Sequence, residues 1–124
     1  MTQYVTKESL QEARHNVQRE DVVTRNGVFP CAGMTTLELQ QYRTNISELK
    51  NRDYIPSILM ILGCKDAEGK RLFKEADQLW LCELGADVTE PVVNAILRLS
   101  GIGVEAEEEI LKNSSLDQDD PESE

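Results

Sequence analysis

The stretch that most constrains this chain runs from residue 54 to residue 103, because it concentrates the residues that can form a core. It contains the single Trp, one of the two Phe and two of the three Cys of the 124-residue sequence. An apolar run, a polar turn and two amphipathic segments follow one another in it, each bounded by turn or cap residues. The pattern predicts one small domain over residues 1–103, of the α+β class and mostly helical.

The end of this stretch predicts a well-delimited helix. Thr89 is a suitable N-cap, Glu90 follows it at the positive end of the helix dipole, and Pro91 falls in the first turn. Apolar residues then recur at helical spacing until Gly101, which supplies a left-handed stop.

A shorter helix is predicted just before it. Ala76, Leu79, Trp80 and Leu84 have helical spacing, and Gly85 ends the pattern. A large aromatic side chain between leucines is normally buried, so Trp80 is predicted to lie in the core. The alternative is that Trp80 is an exposed anchor for a binding partner.

Residues 65–70 predict a type I turn, with Asp66 at its first position and Gly69 at its fourth. Gly69 is expected to have a positive φ, and the Asp66 carboxylate is expected to accept a hydrogen bond from a turn amide. The turn separates two apolar arms, which suggests a small hairpin. The first arm, residues 58–62, is too continuous for its periodicity to decide between strand and helix.

The N-terminal part predicts a short helix and a β-hairpin. Thr6 is a suitable N-cap for the helix, on which Leu10, Ala13 and Val17 line one face. In residues 21–31, β-branched residues flank the pair Asn26-Gly27, which is a strong signal for a two-residue hairpin turn. Pro30 cannot donate a ladder hydrogen bond, so its strand is predicted to be an edge.

The next helix is predicted to begin with a capping box formed by Thr35 and Glu38. Apolar residues follow it at three- and four-residue spacing and end at residue 49, and residues 51–53 are expected to break the helix. Such a narrow stripe more often packs within its own domain than forms an exposed seam between molecules. The stripe consists of Leu39, Tyr42, Ile46 and Leu49.

The negative charge of the chain is concentrated in its last part. Residues 104–124 carry nine acidic residues and one Lys, which gives −8 of the total formal charge of −10. This segment has too few apolar residues to order itself and is predicted to be a disordered acidic tail. Without a basic stripe, the chain is not expected to bind nucleic acid.

No set of residues in the sequence indicates catalysis or a cofactor. The three cysteines lack metal-ligand spacing and are expected to be buried and reduced rather than to form a disulfide or a zinc site. The single histidine, His15, has no nucleophile nearby and is expected at the surface. Neither a signal sequence nor a membrane span is recognisable, so a soluble cytoplasmic protein without enzymatic activity or cofactor is expected.

The order of these signals resembles that of the tail assembly chaperones of long, non-contractile-tailed bacteriophages. The resemblance depends on the Asp-x-x-Gly-x-Arg-Leu-Phe pattern of residues 66–73, two following helices, and the Leu-x-Leu-Ser-Gly end at residues 97–101. The hairpin that leads into residues 33–38 also resembles the beginning of such proteins. Lys74 departs from the pattern, since that family usually has a Ser, Thr or Asp cap at this position, and residues 1–20 have no counterpart.

The resemblance implies a binding protein that acts during tail morphogenesis. Proteins of this family bind the apolar, helical tape-measure protein and the tail-tube subunit in the host cytoplasm, and they leave before the virion is complete. A homo-oligomer is compatible with this reading. An acidic adaptor that mimics nucleic acid to inhibit a host protein is the alternative. The candidate partner-binding residues are Leu39, Tyr42, Ile46, Leu49, Arg71, Leu72 and Phe73.

Overall fold

The computed structural model describes residues 4–14 and 16–102 and confirms a mostly helical α+β architecture with an N-terminal hairpin. Two short 3₁₀ segments each lead directly into an α-helix, and they are Leu49–Tyr54 and Glu75–Asp77. The predictions for His15 and for the acidic tail lie outside the described residues. The other elements in chain order are α1 (Lys7–Glu12), β1 (Arg19–Thr24), β2 (Gly27–Ala32), α2 (Thr36–Ile46), α3 (Ile55–Gly63), α4 (Gln78–Leu81) and α5 (Ala86–Leu99).

Helix α1 is capped as its sequence predicts but does not contribute to the core. The Thr6 hydroxyl accepts from the Ser9 amide, and the Ser9 hydroxyl accepts from the Thr6 amide. Leu10 is 56% exposed, and no residue of the helix is buried. The predicted apolar face does not form, because the helix ends at Glu12, before Ala13 and Val17.

The hairpin forms at the predicted place, although its turn is shifted by one residue. Thr24 pairs with Gly27, so the two turn residues are Arg25 and Asn26 rather than Asn26 and Gly27. Gly27 has a φ of 129°, whereas no non-glycine residue in the described part of the chain has a positive φ. The glycine therefore takes the unusual conformation as the first residue of β2, and Asn26 keeps an ordinary one.

Helix α2 begins with the predicted capping box, in which Thr35 and Glu38 exchange hydrogen bonds with each other's backbone amides. Its apolar stripe packs inside the domain: Tyr42 and Ile46 are 0% and 4% exposed. The helix ends at Ile46, earlier than predicted, and the chain continues into the 3₁₀ segment that contains Leu49.

Helix α3 occupies the centre of the fold. It contains the apolar run of residues 58–62, for which the sequence left strand and helix open. Every residue from 57 to 63 is buried, and the helix contacts α2, α4 and α5. An element surrounded on all sides has no polar face, which removes the periodicity that would have identified it. Gly63 lies so close to Ile96 of α5 that an added Cβ would be 2.5 Å from the Ile96 side chain.

The turn after α3 has the predicted geometry. The Gly69 amide donates to the Asp66 carbonyl at 2.9 Å, and Gly69 has a φ of 86°. The Asp66 carboxylate accepts from the amides of Glu68 and Lys70, both at 2.9 Å. The arms beside the turn pair only through the bridge between Lys65 and Arg71, since the first arm belongs to α3.

Helix α5 begins one turn earlier than predicted. Its N-cap is Gly85, and Thr89, the predicted cap, is a buried residue inside the helix. The early start places Val88 on the buried face of the helix, four residues before Val92. It gives up the Thr89 cap and the backbone hydrogen bond that Pro91 cannot donate. The free energy gained by burying Val88 outweighs these two losses.

The end of α5 is as predicted and forms a complete Schellman motif. Gly101 has a φ of 83° and donates from its amide to the Arg98 carbonyl. The Ile102 amide donates to the Leu97 carbonyl at 2.8 Å, and both of these side chains are buried.

The hairpin lies against α5, and an ion pair joins the two at each end of the helix. Arg25 in the hairpin turn binds Asp87 in the first turn of α5 through two nitrogens. Arg98 in the last turn binds Glu20 at 2.7 Å near the start of β1. Strand β1 therefore runs antiparallel to α5.

Candidate partner-binding surface

Between residues 54 and 102, three large apolar side chains are exposed: two lie on α4, and the third lies between the turn after α3 and α4. Leu79 is 64% exposed, Trp80 is 45% exposed, and Leu72 is 44% exposed. The prediction that Trp80 lies in the core is wrong, because Leu81 takes the buried position at 1% exposure. A four-residue helix lying on α3 can turn only one of three consecutive apolar side chains inward. Leu72, Phe73, Leu79 and Trp80 are called the Trp80 patch below.

Trp80 is held at the surface by specific contacts. Its ring meets that of Phe73 edge to face, with centroids 5.9 Å apart and planes at 79°. The indole N–H donates to one oxygen of Asp77 at 2.9 Å, and the Lys74 amide donates to the other at 2.8 Å. The pKa of Asp77 lies below its ordinary value because of these hydrogen bonds, first from the Lys74 amide and then from Trp80. The patch is therefore preorganised, with the indole N–H satisfied.

Next to the patch residues in the sequence are residues that line a groove of about 380 Å³. Two of its wall residues, Arg71 and Gln78, directly precede Leu72 and Leu79. Its floor is apolar and belongs to α3, whereas amide side chains contribute much of the wall. The lining residues are Gln41, Asn45, Ile58, Ile61, Leu62, Arg71, Glu75 and Gln78.

Glu38 places Arg71 at this groove. One Glu38 oxygen accepts from Arg71 Nη2 at 2.9 Å, and the other accepts from Lys65 Nζ at 2.7 Å. Burial by itself raises the pKa of Glu38, but hydrogen bonds from Lys65, the Thr35 amide and Arg71 outweigh it, so the pKa lies below the ordinary value. The carboxylate is therefore ionised at neutral pH and links α2 to the turn after α3.

The buried hydroxyl of Ser57 in α3 binds the backbone of α4. Ser57 Oγ donates to the Gln78 carbonyl at 2.7 Å and lies 2.7 Å from Cys82 Sγ. Cys82 is exposed, which corrects the expectation that all three cysteines are buried. The polar contact keeps the short helix in register on α3 and leaves its outer side to the Trp80 patch.

The structure separates the candidate partner-binding residues into two groups. Phe73 contacts the Trp80 ring, and Arg71 lines the groove. Leu72, between them in the chain, is exposed, and so is Leu49 on the 3₁₀ segment. The other three are core residues in this conformation and offer a partner little or no side-chain surface, because α2 turns its stripe inward. They are Leu39, which is partly buried, and Tyr42 and Ile46, which are buried.

The sequence does not predict Leu79 as a partner-binding residue, and for Trp80 it favours the core, with an exposed anchor as the alternative. The local signal that identifies their exposure is Asp77, three residues before Trp80, which is positioned to accept the indole N–H in the first turn of a short helix. A tryptophan whose polar atom is satisfied locally does not need a buried partner.

The described residues contain no cluster of three or more His, Cys, Asp or Glu side chains that could hold a metal ion. Within the same residues, every helix falls short of the length and apolar character needed to cross a membrane.

Comparison of the chain with protein-family models, with curated proteins and with solved structures finds no match.

Proposed function

We propose that this chain is a phage tail assembly chaperone that binds an apolar helical segment of the tape-measure protein through the Trp80 patch. The proposal combines the sequence resemblance with one structural observation that carries it. That observation is the preorganised pair of Phe73 and Trp80, with Leu72 and Leu79 exposed beside it in the chain.

The chemistry of the patch suits an apolar helical client. Tryptophan and other large apolar side chains that are held rigid before binding contribute most of the affinity at protein interfaces, since little conformational entropy is lost. Apolar side chains three or four residues apart on a client helix would cover Trp80 and Leu79, in the manner of a helix lying on an apolar surface. The neighbouring groove, with amide groups in its wall, would accept polar side chains at the edge of that helix.

The remaining parts of the proposal follow from the resemblance. The chaperone acts in the cytoplasm of the bacterial host, also binds the major tail-tube protein, and does not enter the mature virion. Binding keeps the tape-measure segment from aggregating, because it covers apolar surface that would otherwise associate with other copies.

The mimicry alternative is less well supported by the charges of the described residues. Mimicry of nucleic acid needs a rigid row of unpaired carboxylates, because a basic partner binds to regularly spaced negative charge. Three acids on the hairpin, α2 and α5 are instead engaged with arginine or lysine of the same chain. They are Glu20, Glu38 and Asp87.

Co-expression with an apolar helical segment of a tape-measure protein tests the function. The gene just downstream of this chain's gene is the first source to try, and the fraction of the segment that stays soluble and co-purifies is measured. The wild-type chain is expected to keep most of it soluble. If the wild type leaves the segment insoluble, the proposed function is wrong.

Substitutions in the patch test the surface. Trp80→Ala and Leu79→Ala are each expected to weaken binding at least tenfold, which corresponds to about 1.4 kcal/mol. Val23→Ala is the matched control, because Val23 is 77% exposed on the hairpin and far from the patch in sequence. Equal loss in the control, or none in the patch variants, would place the client elsewhere.

A further inference from the structure

Two buried cysteines face each other where strand β2 meets the end of α3. Cys31 and Cys64 form an antiparallel bridge, and both are 0% exposed. One position along, the Lys65 amide donates to the Pro30 carbonyl at 3.0 Å. The hydrogen-bonded pair is thus Pro30 with Lys65, which makes the cysteines a non-hydrogen-bonded pair.

The bridge type brings these cysteines within reach of a covalent bond. In an antiparallel ladder, Cα atoms of a non-hydrogen-bonded pair are about 4.5 Å apart, with the side chains on the same face. Disulfides span Cα separations of about 4.4–6.8 Å. The Cα separation of the pair therefore lies at the short end of the range for disulfides. The bond can form without moving β2 relative to α3.

In the closed structure the two thiols affect each other's pKa. The hydrogen bond from Cys64 to the Cys31 sulfur lowers the pKa of Cys31 against the opposing effect of burial. The same hydrogen bond, together with burial, raises the pKa of Cys64. The reagent reaches the thiols only after local opening, which separates them, so either cysteine can ionise and attack first.

We propose that Cys31 and Cys64 are a modification site that forms a reversible intramolecular disulfide by exchange with a low-molecular-weight disulfide such as oxidised glutathione. The thiolate of one cysteine attacks one sulfur of the reagent, forms a mixed disulfide and releases one glutathione thiolate. The other cysteine then loses its proton and attacks the sulfur of the first cysteine, which releases the second glutathione thiolate. The two cysteines are oxidised, and the reagent is reduced to two thiols.

The bond would connect the hairpin directly to the central helix. It closes a loop that contains all of α2 and all of α3, so it restricts the unfolded chain while leaving the native contacts in place. Because both sulfurs are buried, the hairpin has to open locally before the reagent can reach either of them, and the rate of exchange follows that opening. This inference does not depend on the proposed chaperone function.

The test uses full-length Cys82→Ser protein, which removes the exposed thiol that has no cysteine partner. The protein is incubated with oxidised glutathione in water and in urea well below its unfolding midpoint. The expected product has no disulfide between chains, has lost two hydrogen atoms by mass, and yields a peptide that links residues 31 and 64. Its melting temperature is expected to rise by about 10 °C and to return after reduction with dithiothreitol.

The variant Cys31→Ser/Cys82→Ser is the matched control, and it is expected to show no loss of hydrogen and no rise in melting temperature. Three outcomes overturn the proposal. They are a protein that stays reduced in low urea, one that gains glutathione without the internal link, and one whose internal link lowers the melting temperature.

Discussion

Lys65 and Glu38 form a nearly buried ion pair in which Lys65 Nζ lies 2.7 Å from Glu38 Oε1, with the two side chains 8% and 12% exposed. The second Glu38 oxygen binds Arg71, and the first also accepts from the Thr35 amide that opens α2. One carboxylate thus caps a helix, neutralises a buried ammonium and positions an arginine at the groove.

Glu38→Gln is expected to destabilise the protein by about 3 kcal/mol at pH 7, because it leaves Lys65 buried without a counter-charge. The pKa of Glu38 is depressed in the folded state. The stability that ionised Glu38 provides is therefore fully present above the ordinary glutamate pKa of 4.5. It is lost as the pH falls further, through the lower pKa of the folded state. Urea unfolding of both proteins from pH 7 to pH 3 should show the difference shrinking in acid. A difference that stays constant over this range would contradict the role of the charge.

Gly63→Ala is expected to lower the free energy of unfolding by about 1–2 kcal/mol, although alanine favours helix over glycine by about 1 kcal/mol. The added Cβ would be 2.5–2.7 Å from three carbon atoms of Ile96, whose side chain is fully buried and cannot move aside. Urea denaturation measures the effect. In the double variant Gly63→Ala/Ile96→Ala, the combined loss should be smaller than the sum of the single losses. Simple additivity would show that the two helices do not meet at this contact.

Gly69→Val is expected to cost about 1–2 kcal/mol from backbone strain alone. The φ of Gly69 is 86°, and nothing lies within 4 Å of an added Cβ, so steric crowding makes no contribution. Gly69→Asn is the matched variant, since asparagine tolerates this conformation better, and it should retain most of the stability in thermal melts. Equal losses for the two variants would argue that the turn is not held at a positive φ.

Removal of residues 104–124 is expected to increase self-association at low salt, because this segment carries −8 of the −10 formal charge. At about 1 M salt the Debye length falls to roughly 3 Å, and the truncated and full-length chains should then associate alike. Sedimentation of both forms at both salt concentrations measures this. Unchanged association at low salt would mean that the acidic segment does not act as an electrostatic spacer.

The sequence alone determined the local structure where a hydrogen bond joins residues only a few positions apart. Thr6 with Ser9, Thr35 with Glu38, and Asp66 with the turn amides each satisfy backbone groups locally. The starts of α1 and α2 and the position of the turn after α3 could therefore be predicted without knowledge of the rest of the chain.

Tertiary structure decided what depends on distant surfaces. Residues 58–62 are helical because α2, α4 and α5 enclose them, and α5 begins before Thr89 because Val88 is needed in the core. The same applies to the candidate site: packing on α3 buries Leu81 and leaves Leu79 and Trp80 outside. A sequence shows which side chains are apolar and favour burial. Only the packing of the surrounding elements determines which of them are buried, since burial depends on atoms far away along the chain.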